Sequence, residues 1–413
     1  MHLRENSHLY HLHEMHYAAL APLNLLANAS KALHNSPFSP LAYTGFGRHM
    51  AAAAELLERV THRYGKPDFG ITHTHVKGKD VTIYEEVVME KPFGDLIHFK
   101  KYGNIKQPKM LIVAPMSGHH ATLLRGTAEA LLPFLDVYIT DWKDARNVSL
   151  LHGDFHLEDY IHYVIEFTKK LEPDVHLMAV CQPSVPVMIA ASVMNQTKDK
   201  ATPRSMTLIG GPIDARINPT KVNKLSMEKP MSWFEQHMIT RVPFNYPGFM
   251  RRVYPGFMQL TSFMALDPDR HINAHVDLFN HLVEGDGESA RAHKKFYDEY
   301  LSVCDLPAEF YLDCIEQVFQ KFLLPTGNFV YEGKKVKPEA ITETALLTLE
   351  GELDDISGVG QTEAAQTLCS GLTASMKKHH MQKGVGHYGI FNGRKFREHV
   401  VPIIVEFVEK HND

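Results

Sequence analysis

Cysteine is scarce in this chain of 413 residues: Cys181, Cys304, Cys314 and Cys369 are widely spaced and form no C-x-x-C pair. That spacing excludes a disulfide framework and a structural zinc site. No run approaches the roughly 18 apolar residues of a membrane span, so no transmembrane segment is expected. The start, Met1-His2-Leu3-Arg4-Glu5-Asn6, lacks the apolar core of a secretion signal. A cytoplasmic location is therefore expected, where thiols stay reduced. Positive charge is not in excess. The formal net charge is -5 and no Lys/Arg cluster alternates with aromatics, so nucleic acid is not an expected partner. Gly210-Gly211 lack the G-x-G-x-x-G spacing, and no cofactor is expected.

What is present is ordinary for a globular protein: 44% apolar and 22% charged residues, enough for one large domain with an insertion or for two domains. Histidine is abundant, with His8, His11, His13 and His16 close together near the start. No cysteine or aspartate accompanies them and His11 and His13 point apart on a helix, so packing or surface roles, and no metal, are expected.

Residues 1–75 read as a helical extension, with an alanine- and leucine-rich stretch broken at Ser36-Pro37-Phe38-Ser39-Pro40 and a second helix over 50–60. Two strand-like runs follow, 81–89 and 96–100, divided by a turn at 91–95. After residue 108 short apolar strands (109–114, 137–142, 175–180, 205–210) alternate with helices. Their continuous apolarity predicts a mostly parallel sheet covered on both faces. The rhythm stops near Asn218, where Trp233, Phe234, Phe244, Tyr246, Phe249, Tyr254, Phe257 and Phe263 crowd among Pro-Gly turns and a helix is expected over 310–322. These aromatics form either the insert's own core or a cover over the ligand-binding edge of the sheet. A strand at 345–349, a helix at 374–380 and a final helix at 400–410 complete the pattern. The expected organisation is core 76–217, a largely helical cap 218–330, and core again 331–413, an α/β class with a mostly parallel central sheet.

One stretch carries the chemistry. Val175-His176-Leu177-Met178-Ala179-Val180-Cys181-Gln182-Pro183-Ser184 reads as a buried strand, a sharp turn with cysteine at its apex, and a helix start. In α/β-hydrolases such an elbow presents the nucleophile, and the order along the chain is nucleophile, acid, histidine. A helix N-terminus favours a thiolate. Ala179 and Pro183 replace the glycines of G-x-S-x-G; alanine is still small, and proline suits a helix start. Ser184 is a chemical rival placed past the apex. For the acid, Asp354 follows the strand at 345–349, with Asp355 and Asp214 as competitors. For the base, His387 lies among glycines in Lys383-Gly384-Val385-Gly386-His387-Tyr388-Gly389, whereas His379 and His380 read as a helix end. Oxyanion donors are expected from the Gln182 N–H and from Met116 or Ser117 in the loop Pro115-Met116-Ser117-Gly118-His119-His120. In that loop His119 or His120 are alternatives for substrate contact.

Taken together, Tyr10-His11-Leu12-His13-Glu14-Met15-His16, Ser39-Pro40-Leu41-Ala42-Tyr43, Ala114-Pro115-Met116-Ser117-Gly118-His119, Val180-Cys181-Gln182-Pro183-Ser184-Val185-Pro186, Gly210-Gly211-Pro212-Ile213-Asp214 and Glu350-Gly351-Glu352-Leu353-Asp354-Asp355-Ile356-Ser357-Gly358 are specific. Through them the chain resembles the intracellular poly(3-hydroxybutyrate) depolymerases. The resemblance implies a Cys181/Asp354/His387 triad acting on amorphous polymer or soluble oligomers at the surface of cytoplasmic granules, with release of 3-hydroxybutyrate units. An acyl-thioester is also open to coenzyme A as acceptor. The rivals are a polyhydroxyalkanoate synthase-like acyltransferase and a non-catalytic granule-associated protein. Oligomeric state is left open, a homodimer included.

Overall fold

The computed structural model describes residues 7–265 and 268–412; Met1–Asn6, on which the missing leader was read, lie outside the described residues. Helices α1 (Ser7–Asn35) and α2 (Gly45–Thr61) come first and pack on each other. Strands β1 (His73–Val76), β2 (Lys79–Met89) and β3 (Gly94–Lys101) then run antiparallel. Next β4 (Lys109–Val113), α3 (Arg125–Leu131), β5 (Asp136–Trp142), α4 (Leu157–Lys170), β6 (Val175–Val180), α5 (Ser184–Thr197) and β7 (Ser205–Ile209) alternate. Every residue of β6 and β7 is buried, as strands covered on both faces must be.

Between β7 and the next core strand lies the cap. It holds α6 (Lys221–Glu228), α7 (Met231–Met238), α8 (Gly256–Met264), α9 (Pro268–Glu284), α10 (Gly287–Tyr300) and α11 (Ala308–Asp313). The expected helix over 310–322 is realised as α11 followed by a wider, π-type turn from Cys314 to Gln320. Three very short strands, β8 (Thr240–Arg241), β9 (Arg252–Tyr254) and β10 (Leu306–Pro307), form a small antiparallel sheet at its base. Elements of two or three residues have too few positions to show a period, which is why the insert reads as helical alone.

After a ribbon of β11 (Val330–Tyr331) and β12 (Lys334–Lys335), the core resumes with β13 (Ala345–Gly351), α12 (Ala364–Leu368), β14 (Lys377–Gln382), α13 (Gly393–Lys395) and α14 (Val401–Lys410). The expected helix over 374–380 is a correction. Only Ala374–Met376 form a single turn, and Lys377–Gln382 pair in parallel with β13. The sheet order is β1-β2-β3-β5-β4-β6-β7-β13-β14, parallel from β5 to β14. This is the α/β-hydrolase fold with an inserted cap. Among the described residues no helix is long and apolar enough to cross a membrane.

The N-terminal helix is fixed to the base of the cap. The Tyr10 hydroxyl donates to Asp305 Oδ2 at 2.6 Å, and Asp305 Oδ1 accepts from Gly256 N at 3.0 Å. Asp144 Oδ1 in turn accepts from Asp305 N at 3.1 Å, and Arg146 pairs with Asp144 at 2.8 Å. Of the clustered histidines, His13 stacks on Phe257 at 3.9 Å, where burial pulls its pKa down to about 4, while His8 and His11 are exposed.

Candidate active site

Strand β6 ends at Val180 and the next residue, Cys181, adopts φ 68°. A non-glycine residue held there is strained and persists only when its surroundings impose it. Two bonds do so: Cys181 N donates to Ile209 O at 2.7 Å, and Ser184 N donates to Cys181 O at 3.1 Å. The turn feeds directly into α5, with Pro183 at φ -63°. Cys181 is half-buried at the turn, whereas Ser184 is fully buried, its hydroxyl without a partner. The neighbouring strand end makes room for the elbow. A Cβ on Gly211 would lie 2.0 Å from Ser184 Oγ and 2.8 Å from Cys181 O.

Asp354 and His387, the expected acid and base, follow the strands beyond. Leu353 N donates to Val385 O at 2.9 Å, tying the turn after β13 to the loop after β14. Across this junction Asp354 Oδ2 meets His387 Nδ1 at 2.8 Å. The other oxygen, Oδ1, accepts from Ile356 N at 2.9 Å and Ser357 N at 2.8 Å, so the carboxylate is aimed and not merely near. Asp214 is instead held in a two-pronged pair by Arg216, and Asp355 lines the cavity beside His387 without an ion pair to it. His379 and His380 lie on β14, His379 bonded to Thr348 at 2.9 Å. Gly210, at φ 55°, stands against the pair: a Cβ there would be 3.3 Å from both Asp354 Oδ2 and His387 Cε1. The sequence marks this glycine as a strand end and as part of a family-like motif, but not as a neighbour of Asp354 and His387.

Electrostatics set the state of the imidazole. Burial by itself pulls the His387 pKa down, but the Cys181 sulfur and the Asp354 carboxylate, through charge and hydrogen bonding, hold it well above the usual histidine value. Cys181, Asp354 and His387 are thus brought together at the carboxyl edge of the sheet.

The loop after β4 supplies polar backbone beside the elbow. Met116 N donates to Gln182 Oε1 at 3.3 Å, so this N–H faces the elbow and finds a carbonyl oxygen there. The Gln182 amide is steadied on the cap, Nε2 lying 3.8 Å from Cys314 Sγ. His119 and His120 point elsewhere. His119 is buried with Nε2 3.1 Å from Tyr300 O, and burial lowers its pKa to about 4. His120 lines a separate cavity of about 880 Å³ with Lys66, Asp141 and Arg146, whose cations are paired with Asp141 and Asp144.

A cavity of about 290 Å³ adjoins His387, walled by Phe263, His271, Phe296 and Tyr300 of the cap and by Leu353, Ile356 and Tyr388 of the core. Of the insert's aromatics, Phe263 therefore covers the sheet edge, Phe234 and Tyr254 are buried in the cap, and Phe244 is 79% exposed. Among the described residues one cluster outside the site has metal-ligand composition, Glu350, Glu363 and His379. Both Glu350 oxygens are already taken by the N–H groups of Gly360, Thr362 and Glu363, which makes it a loop brace.

Residues 210–412 match the family model described as PHB de-polymerase C-terminus. No match is found among curated proteins. Similar solved structures include a bacterial membrane phospholipase A, 12% identical over 80% of this chain and 87% of its own, TM-score 0.46. A monoacylglycerol lipase of Paleococcus ferrophilus is 14% identical over 80% and 99%, TM-score 0.42. An esterase of Thermogutta terrifontis is 13% identical over 83% and 98%, TM-score 0.41.

Proposed function

Because the chain is an α/β-hydrolase-fold protein whose C-terminal region, residues 210–412, matches the PHB depolymerase family, we propose that it cleaves poly(3-hydroxybutyrate) esters through Cys181. The coarse activity, carboxylic ester hydrolysis, follows from fold and family together. The finer reading is supported above all by one observation: the half-buried sulfur at a strained elbow shares a buried imidazole with an aimed carboxylate.

In this reading His387, aligned by Asp354, takes the proton of Cys181 as the sulfur attacks the ester carbonyl, the sulfur electron pair forming the S–C bond while the carbonyl π pair moves to oxygen. The oxyanion is met by the N–H of Gln182 and by that of Met116, once the Gln182 side chain gives up the latter. Collapse re-forms the carbonyl and breaks the C–O bond, and His387 hands its proton to the departing alkoxide. His387, now neutral and aligned by Asp354, takes a proton from water; hydroxide adds to the thioester and the thiolate leaves. A free 3-hydroxybutyrate acid end and a free hydroxyl end result. A coenzyme A thiol in place of water gives an acyl-CoA. In this reading the enzyme works at granule surfaces in the cytoplasm.

The test is Cys181→Ala on amorphous polymer and on a soluble trimer, together with mass spectrometry of the wild type quenched during turnover. An acyl adduct on Cys181 and loss of turnover are expected; undiminished turnover in the variant would eliminate the thioester route.

A further inference from the structure

The loop that faces the elbow is not held by the core alone. Three successive residues are fastened to the cap. Ser117 O accepts from the Gln259 side-chain Nε2, on α8. Gly118 O accepts from Cys304 N at 2.8 Å. His119 Nε2 contacts Tyr300 O at 3.1 Å, and the same histidine bridges to Val303.

Direction matters here. In a trans peptide the C=O and the next N–H point oppositely. Pulling the Ser117 and Gly118 carbonyls toward the cap therefore turns the Gly118 and His119 N–H groups away from it, and keeps both carbonyl oxygens from turning toward the elbow. A carbonyl oxygen there would repel a developing oxyanion where an N–H should stabilise it.

Gln259 is the one member of this set whose hold is a side chain from the inserted segment. It lies so close that a Cβ on Gly118, at φ 91°, would come within 2.6 Å of its Cδ and Oε1. Its own Oε1 is buried without a partner, so the amide is oriented for Ser117 and not for its own satisfaction.

We propose that Gln259 is a positioning residue for ester cleavage: by donating to the Ser117 carbonyl it fixes the peptide planes of the oxyanion loop, and so makes the cap a working part of the oxyanion site. The inference rests on the reading that Cys181 is the nucleophile. It explains why the cap and the loop share several polar contacts where an apolar lid would need none. It also assigns this glutamine no contact with substrate.

Two substitutions keep the shape of Gln259 but remove its donor: Gln259→Met, and Gln259→Glu assayed at neutral pH. Two rates are measured in the full-length protein, turnover of a soluble 3-hydroxybutyrate trimer and alkylation of Cys181 by iodoacetamide. Alkylation forms a thioether by displacement of iodide and passes through no oxyanion, so it reads the Cys181–His387 pair alone. Expected is a kcat fall of roughly 10- to 100-fold, milder than the 10²–10³ for deleting an oxyanion donor outright, with KM within about threefold. Cys181 alkylation should match the wild type in both variants. Wild-type kcat in both variants overturns the proposal, and so does a parallel fall of alkylation and kcat, which would make Gln259 a general support of the fold. If alkylated wild-type enzyme still turns over the trimer, the cysteine reading itself has failed, and that result is distinct from either of these.

Discussion

Asp354 and His387 meet through one carboxylate oxygen at 2.8 Å, while the second oxygen is held by the backbone N–H groups of Ile356 and Ser357. The division of labour leaves the acid no freedom to rotate away from the ring. With Nδ1 against the carboxylate, the favoured tautomer carries its proton there and leaves Nε2 free of Asp354.

Replacing Asp354 by Asn should therefore cost far more than a charge. An amide can present its NH₂ to Nδ1 and select the wrong tautomer, and losses on the order of 10⁴ in kcat accompany that change in serine triads. For Asp354→Asn a drop of roughly 10²–10⁴ in kcat is expected, with KM little altered. Steady-state kinetics on a soluble trimer check it; a drop below about threefold would show that Asp354 does not orient the base.

The His387 ring should titrate differently without its sulfur neighbour. In the native protein burial lowers its pKa while Cys181 and Asp354 raise it to a value well above the ordinary one. A histidine raised in this way stabilises the fold below its unfolded pKa, and the contribution is lost as pH climbs through the folded value. Cys181→Ala removes one raising partner, so NMR of the imidazole should place the midpoint lower than in wild type. An unmoved midpoint would mean the sulfur and the ring do not interact.

Gly211→Ala tests the elbow's packing. The added methyl would stand 2.0 Å from Ser184 Oγ and 2.2 Å from Ser184 Cβ, so the turn carrying Cys181 must shift. Overpacking of a tight core costs about 1–3 kcal/mol. A lower Tm and a lower kcat are both expected, and Gly211→Ala combined with Ser184→Gly should recover part of each. Wild-type Tm and kcat in the single variant would refute the close fit.

At the base of the cap, burial and the adjacent Asp305 carboxylate push Asp144 up to about 7, against the pull of Arg146. Burial raises Asp305 as well, opposed by Arg146 and by the Tyr10 hydroxyl. Groups raised on folding bind their protons more tightly in the native state. Their contribution is complete below the ordinary aspartate range and disappears as pH rises through about 7. Tm should therefore decline across that window, and Asp144→Asn should flatten the decline. Thermal unfolding at a series of pH values decides; an equal slope in the variant sinks the assignment.

The elbow and the turn that carries Asp354 were legible because each follows an apolar strand, whereas His387 stood out only by the glycines around it, since the strand before it, Lys377–Gln382, is polar and reads as helix. Asp214 could be discounted only in three dimensions, where Arg216 occupies it. Gln259 was invisible for a similar reason: nothing local distinguishes a glutamine on a cap helix that reaches Ser117, 142 residues away. Gly210 and Gly211 lack the spacing of a phosphate motif, and the space they leave is filled by Asp354 and His387 on one side and by Ser184 and the Cys181 carbonyl on the other, contacts that no local pattern announces. The cap's small sheet escaped because its strands are only two or three residues long.

The misreading of Lys377-Lys378-His379-His380 as helix carries its own consequence. Those residues form β14, the last strand of the sheet, with one flank unpaired by any other strand among the described residues. A bare flank rich in valine and isoleucine would invite strand addition from another chain, and lysines are a common natural deterrent. The lysines and histidines that disguise β14 are thus of the kind that makes such an edge a poor template for strand addition. Exchanging them for β-branched residues would raise strand propensity and remove that deterrent together.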